Sequence, residues 1–234
     1  MLSINDPPKI VIIKISRMAA LQKYWGSAAE DPIQEILAMQ YLHPNAFPDY
    51  PLQDTMYQIE CCVTNVFRDF YSIMPYCKLG DVMDLIMVNG ALNNSTAKNM
   101  MKQLLDGLEF LQSHGIGHRD MSLENVVMDV MPNTSNSFKF VITDFGMAVK
   151  CPPRTDVVDD GDSPLTAASH QRIPHKDVGK LPYNAPEIFL GAPFVNPMLS
   201  DMWALGIMLL AALTGHHPFE ALIEKTMKEL LNAG

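Results

Sequence analysis

The stretch HRDMSLEN, residues 118 to 125, decides how the rest of the chain is read. It sets a carboxylate, Asp120, beside an arginine and puts an amide, Asn125, five residues further on. Phosphoryl transfer asks little of a protein beyond an oriented nucleophile, a held divalent cation and offset phosphate charge. Asp120 is able to accept a hydrogen bond from a substrate hydroxyl, and Asn125 to offer an amide oxygen to a metal. Taken alone, a polar surface turn explains the same eight residues equally well.

The neighbourhood breaks that tie. Twenty-four residues after Asp120 comes DFG, Asp144 to Gly146, directly behind an apolar segment. A carboxylate at the end of a buried strand, followed by a glycine that lets the chain turn away, suits magnesium. One such tripeptide is a weak signal. APE (Ala185 to Glu187) and SDMWALG (Ser200 to Gly206) follow in order, and together they make chance a poor explanation.

Composition sets the outer bounds. The 234 residues are 48% apolar and 18% charged, the balance of a globular chain long enough for two small lobes around a cleft. A net charge of −9 gives no support to nucleic-acid binding. The four cysteines (Cys61, Cys62, Cys77, Cys151) form no CxxC pair, so ordinary reduced thiols are expected. The longest apolar run, MWALGIMLLAAL at 202 to 213, has twelve residues and reads as a buried helix too short to span a bilayer. The start lacks the basic and apolar regions of a secretory signal. No membrane is expected as partner, and the location expected is cytoplasmic or otherwise intracellular.

Along the chain, IVIIKI (10 to 15) is a β-branched strand run, and DPIQEILAMQYL (31 to 42) has helical spacing at Ile36, Met39 and Leu42. Two further strand-like segments, MYQIECCVTNVF and FYSIMPYC, complete a β-rich first part. Residues 95 to 114 predict an amphipathic helix with Met101, Leu104, Leu105, Leu108 and Leu111 on one side. NVVMD and FKFVITD read as short strands. Residues 150 to 178 hold four prolines and the acidic run DVVDDGD, which predicts a long acidic loop. Mostly helix is expected beyond it, with His216 and His217 as turn residues.

With these motifs in this order, the sequence resembles a eukaryotic protein kinase catalytic domain of the serine/threonine type, from about Ile10 to Phe219. The resemblance implies an α+β bilobal fold: a small β-rich lobe with one helix (1–77) and a mainly helical large lobe (78–234). It implies ATP and Mg2+ as cofactors and a protein bearing a serine or threonine hydroxyl as acceptor. By the same resemblance Lys14 of VIIK binds the ATP phosphates and Glu35 pairs with it. Asp120 orients the nucleophile, and Asn125 and Asp144 hold magnesium. Met74 becomes the gatekeeper, the backbone of Pro75, Tyr76 and Cys77 holds adenine, Asp81 meets ribose and Val127 lines the pocket floor. His118, Phe145 and Met39 stack in an apolar column joining the lobes.

Four departures from the family pattern follow. Thirteen residues precede Lys14 and none is glycine, so no Gly-rich phosphate loop is expected. Ile12 stands where the family usually has alanine, and its larger side chain is expected to crowd the nucleotide. Ser122 replaces the lysine that serine/threonine kinases commonly carry two residues after the aspartate, while Lys180 replaces the threonine of GTxxYxAPE. Lys180 is therefore expected to supply, from the other side, the charge Ser122 lacks; a solvated loop lysine is the alternative. Finally, the chain stops at Gly234 before the family's last helices. Glu187 is thus expected to lack its usual arginine partner, and a partner covering the large lobe is conceivable.

The function expected is transfer of the ATP γ-phosphate to protein serine or threonine hydroxyls. Two alternatives stay open: a kinase-like scaffold that transfers nothing, and a fragment of a longer active kinase. Thr166, Ser169 or a fixed charge on Asp177 are the candidate regulatory positions of the loop; a loop that needs no phosphate is the alternative.

Overall fold

The computed structural model describes residues 10–17, 32–42, 60–64, 69–131, 138–152 and 172–219. The β-branched run forms strand β1, Val11–Arg17, and the helical spacing after Asp31 becomes helix α1, Pro32–Tyr41. Strands β2 (Glu60–Thr64) and β3 (Asp69–Pro75) complete an antiparallel sheet ordered β1-β3-β2. Its register sets Ile12 opposite Met74 and Lys14 opposite Ser72. Because side chains alternate along a strand, Ile12, Lys14 and Ser16 share one face. On α1, one helical stripe buries Glu35, Ile36, Ala38, Met39 and Leu42.

Helix α2, Val82–Asn89, begins where the Asp81 carboxylate caps it by accepting from the Asp84 N–H at 2.8 Å. Helix α3 (Asn94–Ser113) is likewise capped by Asn93, which accepts from the Thr96 N–H. Its buried stripe runs through Ala97, Met100, Leu104, Gly107, Leu108 and Leu111. This corrects the expected face: Leu105 is 43% exposed and Met101 only half-buried, since Leu105 lies about 100° around the helix from Leu104. Strand β4 is Ile116–Gly117. Strands β5 (Val126–Val130) and β6 (Phe138–Ile142) pair antiparallel, and α3 packs on β6. Strand β7 (Val149–Lys150) pairs with β4.

The stretch 150–178, expected as loop throughout, carries a strand in its described part: β8 (Ile173–Pro174) pairs with β9 (Phe194–Val195). The acidic run, Thr166 and Ser169 lie outside the described residues. Between β8 and β9 comes the short helix α4, Pro186–Phe189. Helix α5, Pro197–Thr214, has Asn196 as its N-cap, Pro197 in its first turn and Gly215 ending it at φ 81°.

The twelve-residue apolar run thus sits inside an 18-residue helix, which is long and apolar enough to cross a membrane by length and composition. Half of that helix is buried in the fold, where Ala204, Leu205, Ile207, Met208, Ala211 and Ala212 face α3 and β4. Its other face leaves Leu199, Met202, Trp203 and Leu210 exposed among the described residues. One core cluster joins Met39, Leu42 and Met74 of the small lobe to Leu104, Leu108, Phe140, Phe145 and Met208 of the large one. Each fully buried Leu, Met or Phe contributes about 1.5–3 kcal/mol.

Candidate functional site

The site lies along the edges of β1, α1, β3, β5 and β6 and the loops after them. Lys14 points from the inner face of β1 toward α1, and its Nζ donates to Glu35 Oε2 at 2.6 Å. Glu35 is buried while Lys14 is more than a third exposed, so the pair has its acid inside and its base at the cleft. The same Nζ is 3.9 Å from Asp144 Oδ1. Lysine, glutamate and the DFG aspartate, from three separate elements, therefore converge on one point. Ile12 lies two residues before Lys14 on the same strand face, opposite the buried Met74, and is 41% exposed.

The strand after Met74 turns at residues 76–80 and rejoins the large lobe by backbone bonds, Leu79 N–H to Met128 O and Met128 N–H to Gly80 O. The Tyr76 N–H donates to the Ile10 carbonyl and the Cys77 carbonyl accepts from the Gly80 N–H, both at 3.4 Å. The Tyr76 N–H is thus spent within the protein, while the Cys77 carbonyl keeps a second lone pair, so of the Pro75–Cys77 backbone expected at adenine only the Tyr76 donor is withdrawn. Asp81 bridges to Val127 and spends one oxygen capping α2. Val127 is half-buried against the core.

On the large lobe, HRDMSLEN forms a tight loop followed by a 3-10 turn, Leu123–Asn125. The amide nitrogen of Asn125 donates to the Asp120 carbonyl at 2.8 Å and to Asp120 Oδ2 at 2.7 Å. This fixes the Asp120 carboxylate and leaves Asn125 Oδ1 without a protein donor among the described residues. The Asn125 carbonyl accepts from the Thr143 N–H at 2.9 Å, tying this loop to the residue before Asp144. Asp144 has φ 65°, a left-handed conformation costing about 1–3 kcal/mol in a non-glycine residue.

His118 is fully buried, with its ring 4.8 Å from that of Phe145 in an edge-on contact, and Met39 belongs to the same core cluster as Phe145. Its Nε2 bonds the Thr143 carbonyl and its Nδ1 accepts from the Asp120 N–H, which assigns the neutral Nε2–H tautomer. Burial lowers its pKa, in keeping with that form.

Asp201, the acid of SDMWALG, is buried at the start of α5. Its two oxygens accept from the His118 N–H at 2.7 Å and the Arg119 N–H at 2.8 Å. Burial pushes this carboxyl up to about 7, against the pull of the two donors. It also holds Arg119 at φ 64°. Arg119 turns its Nε to the Met147 carbonyl at 2.6 Å, and burial lowers the guanidinium pKa. At Gly117 an added Cβ would meet Pro197 Cβ at 2.4 Å, so glycine is what lets β4 approach α5 this closely.

The segment 178–183 docks on this loop. The Gly179 N–H donates to Met147 Sδ, and the Tyr183 hydroxyl donates to Glu124 Oε2 at 3.0 Å while accepting from the Leu123 N–H. Burial drives the Tyr183 pKa upward, and the His217 ring packs edge-on against it. Lys180 meets Asp120 twice, through its backbone N–H to Oδ1 at 3.0 Å and its Nζ to Oδ2 at 2.8 Å. Its Nζ also donates to the buried Ser122 hydroxyl at 3.1 Å.

Glu187, expected to stand alone, accepts from the Ser200 hydroxyl at 2.9 Å, so a neutral donor on α5 satisfies it. The roles of Asp201, Tyr183, Met147 and Glu124 were not read from the sequence. The signal for Asp201 was available: a lone acid entering an apolar helix has to be hydrogen-bonded somewhere.

Chemically, Asp144 and the open Asn125 oxygen are hard oxygen donors of the type magnesium takes, one or two from protein with the rest of its shell supplied from elsewhere. No cluster of three or more His, Cys, Asp or Glu side chains that could hold a metal alone occurs among the described residues.

Comparison with known proteins supplies the family. The family model described as protein kinase domain matches residues 12–233. Human testis-specific serine/threonine-protein kinase 4 is 34% identical over 169 residues, covering 68% of this chain and 48% of that protein. The probable serine/threonine-protein kinase KCC4 of Saccharomyces cerevisiae is 31% identical over 188 residues, covering 80% of this chain and 15% of that protein. The SNF1-related protein kinase catalytic subunit alpha KIN12 of Arabidopsis thaliana is 29% identical over 188 residues, 80% of this chain and 31% of that protein. The chain thus spans about half or less of the length of these curated relatives.

Proposed function

The chain belongs to the protein kinase family, and from that premise we propose that it transfers the γ-phosphate of ATP to serine or threonine hydroxyls of a protein. The observation that carries this reading is the convergence of Lys14, Glu35 and Asp144, with Lys14 Nζ 2.6 Å from one carboxylate and 3.9 Å from the other. A scaffold has no need of a half-exposed lysine held between two acids at a cleft.

In this reading Glu35 holds Lys14 toward the phosphates, and Asp144 with the Asn125 amide oxygen holds magnesium. Magnesium, when bound, offsets phosphate charge. Asp120, fixed by the Asn125 amide, accepts the hydrogen bond of the incoming hydroxyl. The acceptor oxygen bonds the γ-phosphorus as the bridging P–O bond breaks. The hydroxyl proton passes to the Asp120 carboxylate and then to solvent, and ADP carries off the bridging oxygen. The backbone of Pro75 and Cys77 and the half-buried Val127 frame the adenine end.

The test is phosphate transfer from γ-labelled ATP to a mixed protein acceptor, comparing wild type with Asp120→Asn. Magnesium-dependent label on phosphoserine or phosphothreonine, lost in the variant, is the expected result. Folded protein giving no label above the variant, or label on tyrosine, overturns the reading.

A further inference from the structure

We propose that Lys180 is the cation directed at the transferring phosphate, delivered to the catalytic loop by the docked segment 178–183. This rests on the phosphoryl-transfer reading above. As the acceptor oxygen attacks the γ-phosphorus and the bridging bond breaks, charge spreads over the phosphoryl oxygens, and a fixed cation on the acceptor side lowers that barrier. The loop that carries Asp120 does not supply one. Ser122 is uncharged and buried, and the Arg119 guanidinium is turned away to the Met147 carbonyl. Lys14 is held by Glu35 of α1 beside Asp144, away from the Asp120 carboxylate to which Lys180 is bonded.

Lys180 fills the gap from a segment sixty residues further along the chain. Its two attachments divide the work. The backbone N–H holds Asp120 Oδ1 and orients the carboxylate whatever the side chain does. The ammonium, about one third exposed, rests on the buried Asp120 Oδ2 and Ser122 Oγ; because that carboxylate also holds the Asn125 amide and the Lys180 N–H, the ammonium can turn to phosphate oxygens without leaving Asp120 unpaired. Lysine is suited to that exchange, being a point charge on a flexible stem. The hydroxyl of Ser122 then steadies the ammonium rather than the reverse. Positions 122 and 180 form one unit, a hydroxyl and an ammonium, in which the charge sits on the later segment.

A consequence is that this charge reaches the centre only while 178–183 is docked through Gly179 to Met147 and Tyr183 to Glu124. Loss of docking removes the cation and the backbone N–H on Asp120 Oδ1 together, while leaving the Asn125 amide on Asp120 Oδ2 and the Lys14–Glu35 pair in place.

The experiment compares wild type, Lys180→Met, Lys180→Thr and the double exchange Ser122→Lys with Lys180→Thr, in the full-length protein. Lys180→Met and Lys180→Thr are expected to lower kcat about 100- to 1,000-fold, the range for losing one preorganised donor at a developing charge. The KM for ATP should move far less, and the double exchange should recover most of the lost rate, since it returns an ammonium to the same space. Aluminium fluoride should tighten MgADP binding in wild type and in the double exchange but not in Lys180→Met, a readout independent of turnover. A structural role alone predicts lowered thermal stability in Lys180→Met and no rescue by moving the charge. Unchanged kcat in Lys180→Met, or a folded double exchange with no recovery, overturns the proposal while leaving the kinase reading intact. Wild type that neither binds MgADP nor transfers phosphate overturns both.

Discussion

Replacing Gly179 by alanine perturbs the junction between the Lys180 segment and the catalytic loop at a single atom. Gly179 has φ +87°, and an added Cβ would stand 2.6 Å from the Arg119 carbonyl oxygen and 3.0 Å from Asn184 Oδ1. The left-handed conformation alone costs an L-residue about 1–2 kcal/mol. The nearer contact falls about 0.8 Å short of the 3.4 Å at which ordinary contact begins. The Arg119 carbonyl cannot retreat cheaply, because Arg119 is itself at φ 64° with its N–H held by Asp201. Relief comes instead from lifting the segment, which stretches both Lys180 bonds to Asp120. Together these terms disfavour the docked segment by about 2–4 kcal/mol. At about 1.4 kcal/mol per tenfold, kcat should drop about 30-fold or more. The KM for ATP should stay within about threefold, because Lys14, Glu35 and Asp144 sit on other elements. Steady-state kinetics with varied ATP at saturating acceptor measures both. Unchanged kcat refutes the docking argument, and a KM that rises as far as kcat falls shows that the effect is not local.

Glu35→Gln should raise the KM for ATP and lower kcat/KM about five- to thirtyfold, less than a sealed ion pair would give because Lys14 is more than a third exposed; unchanged kcat/KM would contradict the pairing role. Ile12→Ala should tighten ATP about three- to tenfold by relieving crowding over the base, measured as KM; weaker ATP binding would mean Ile12 is a contact, not an obstacle. Asp201 makes a pH prediction. Its carboxyl is raised from 3.8 to about 7, so between those values the folded protein holds a proton the unfolded chain lacks. The stability it contributes is present at low pH and lost as pH rises through about 7. The melting temperature of wild type minus that of Asp201→Asn should therefore fall across this window, and a flat difference would contradict the buried-acid account.

Much of the site's framework was legible because it rests on local pattern. Lys14 and Glu35 stood out on a β-branched strand and an amphipathic helix, and both elements form close to where their periodicity sets them. The Lys180–Ser122 contact was legible from two coincident departures, one in each of two motifs. Features that depend on tertiary partners were not. Leu105 lies next to the buried stripe of α3, and only the packing of β6 decides which apolar residues face inward. Helix α2 was missed because Asp81 read as a ligand contact rather than as a cap. Glu187 was expected without an evident partner, yet the Ser200 hydroxyl bonds this half-buried carboxylate. Asp201 carried no periodic signal of its own, since its task is to satisfy two backbone N–H groups 83 and 82 residues away in sequence.

The central claim is that Lys14, Asp144 and Asn125 form a magnesium-nucleotide site. Calorimetric titration of the folded protein with ATP, with and without magnesium, measures it most directly, alongside Asp144→Asn. The account predicts binding that requires magnesium and weakens about tenfold or more in the variant, as expected when a metal's carboxylate is lost. No binding by the folded protein, or magnesium-independent binding indifferent to Asp144, would contradict it.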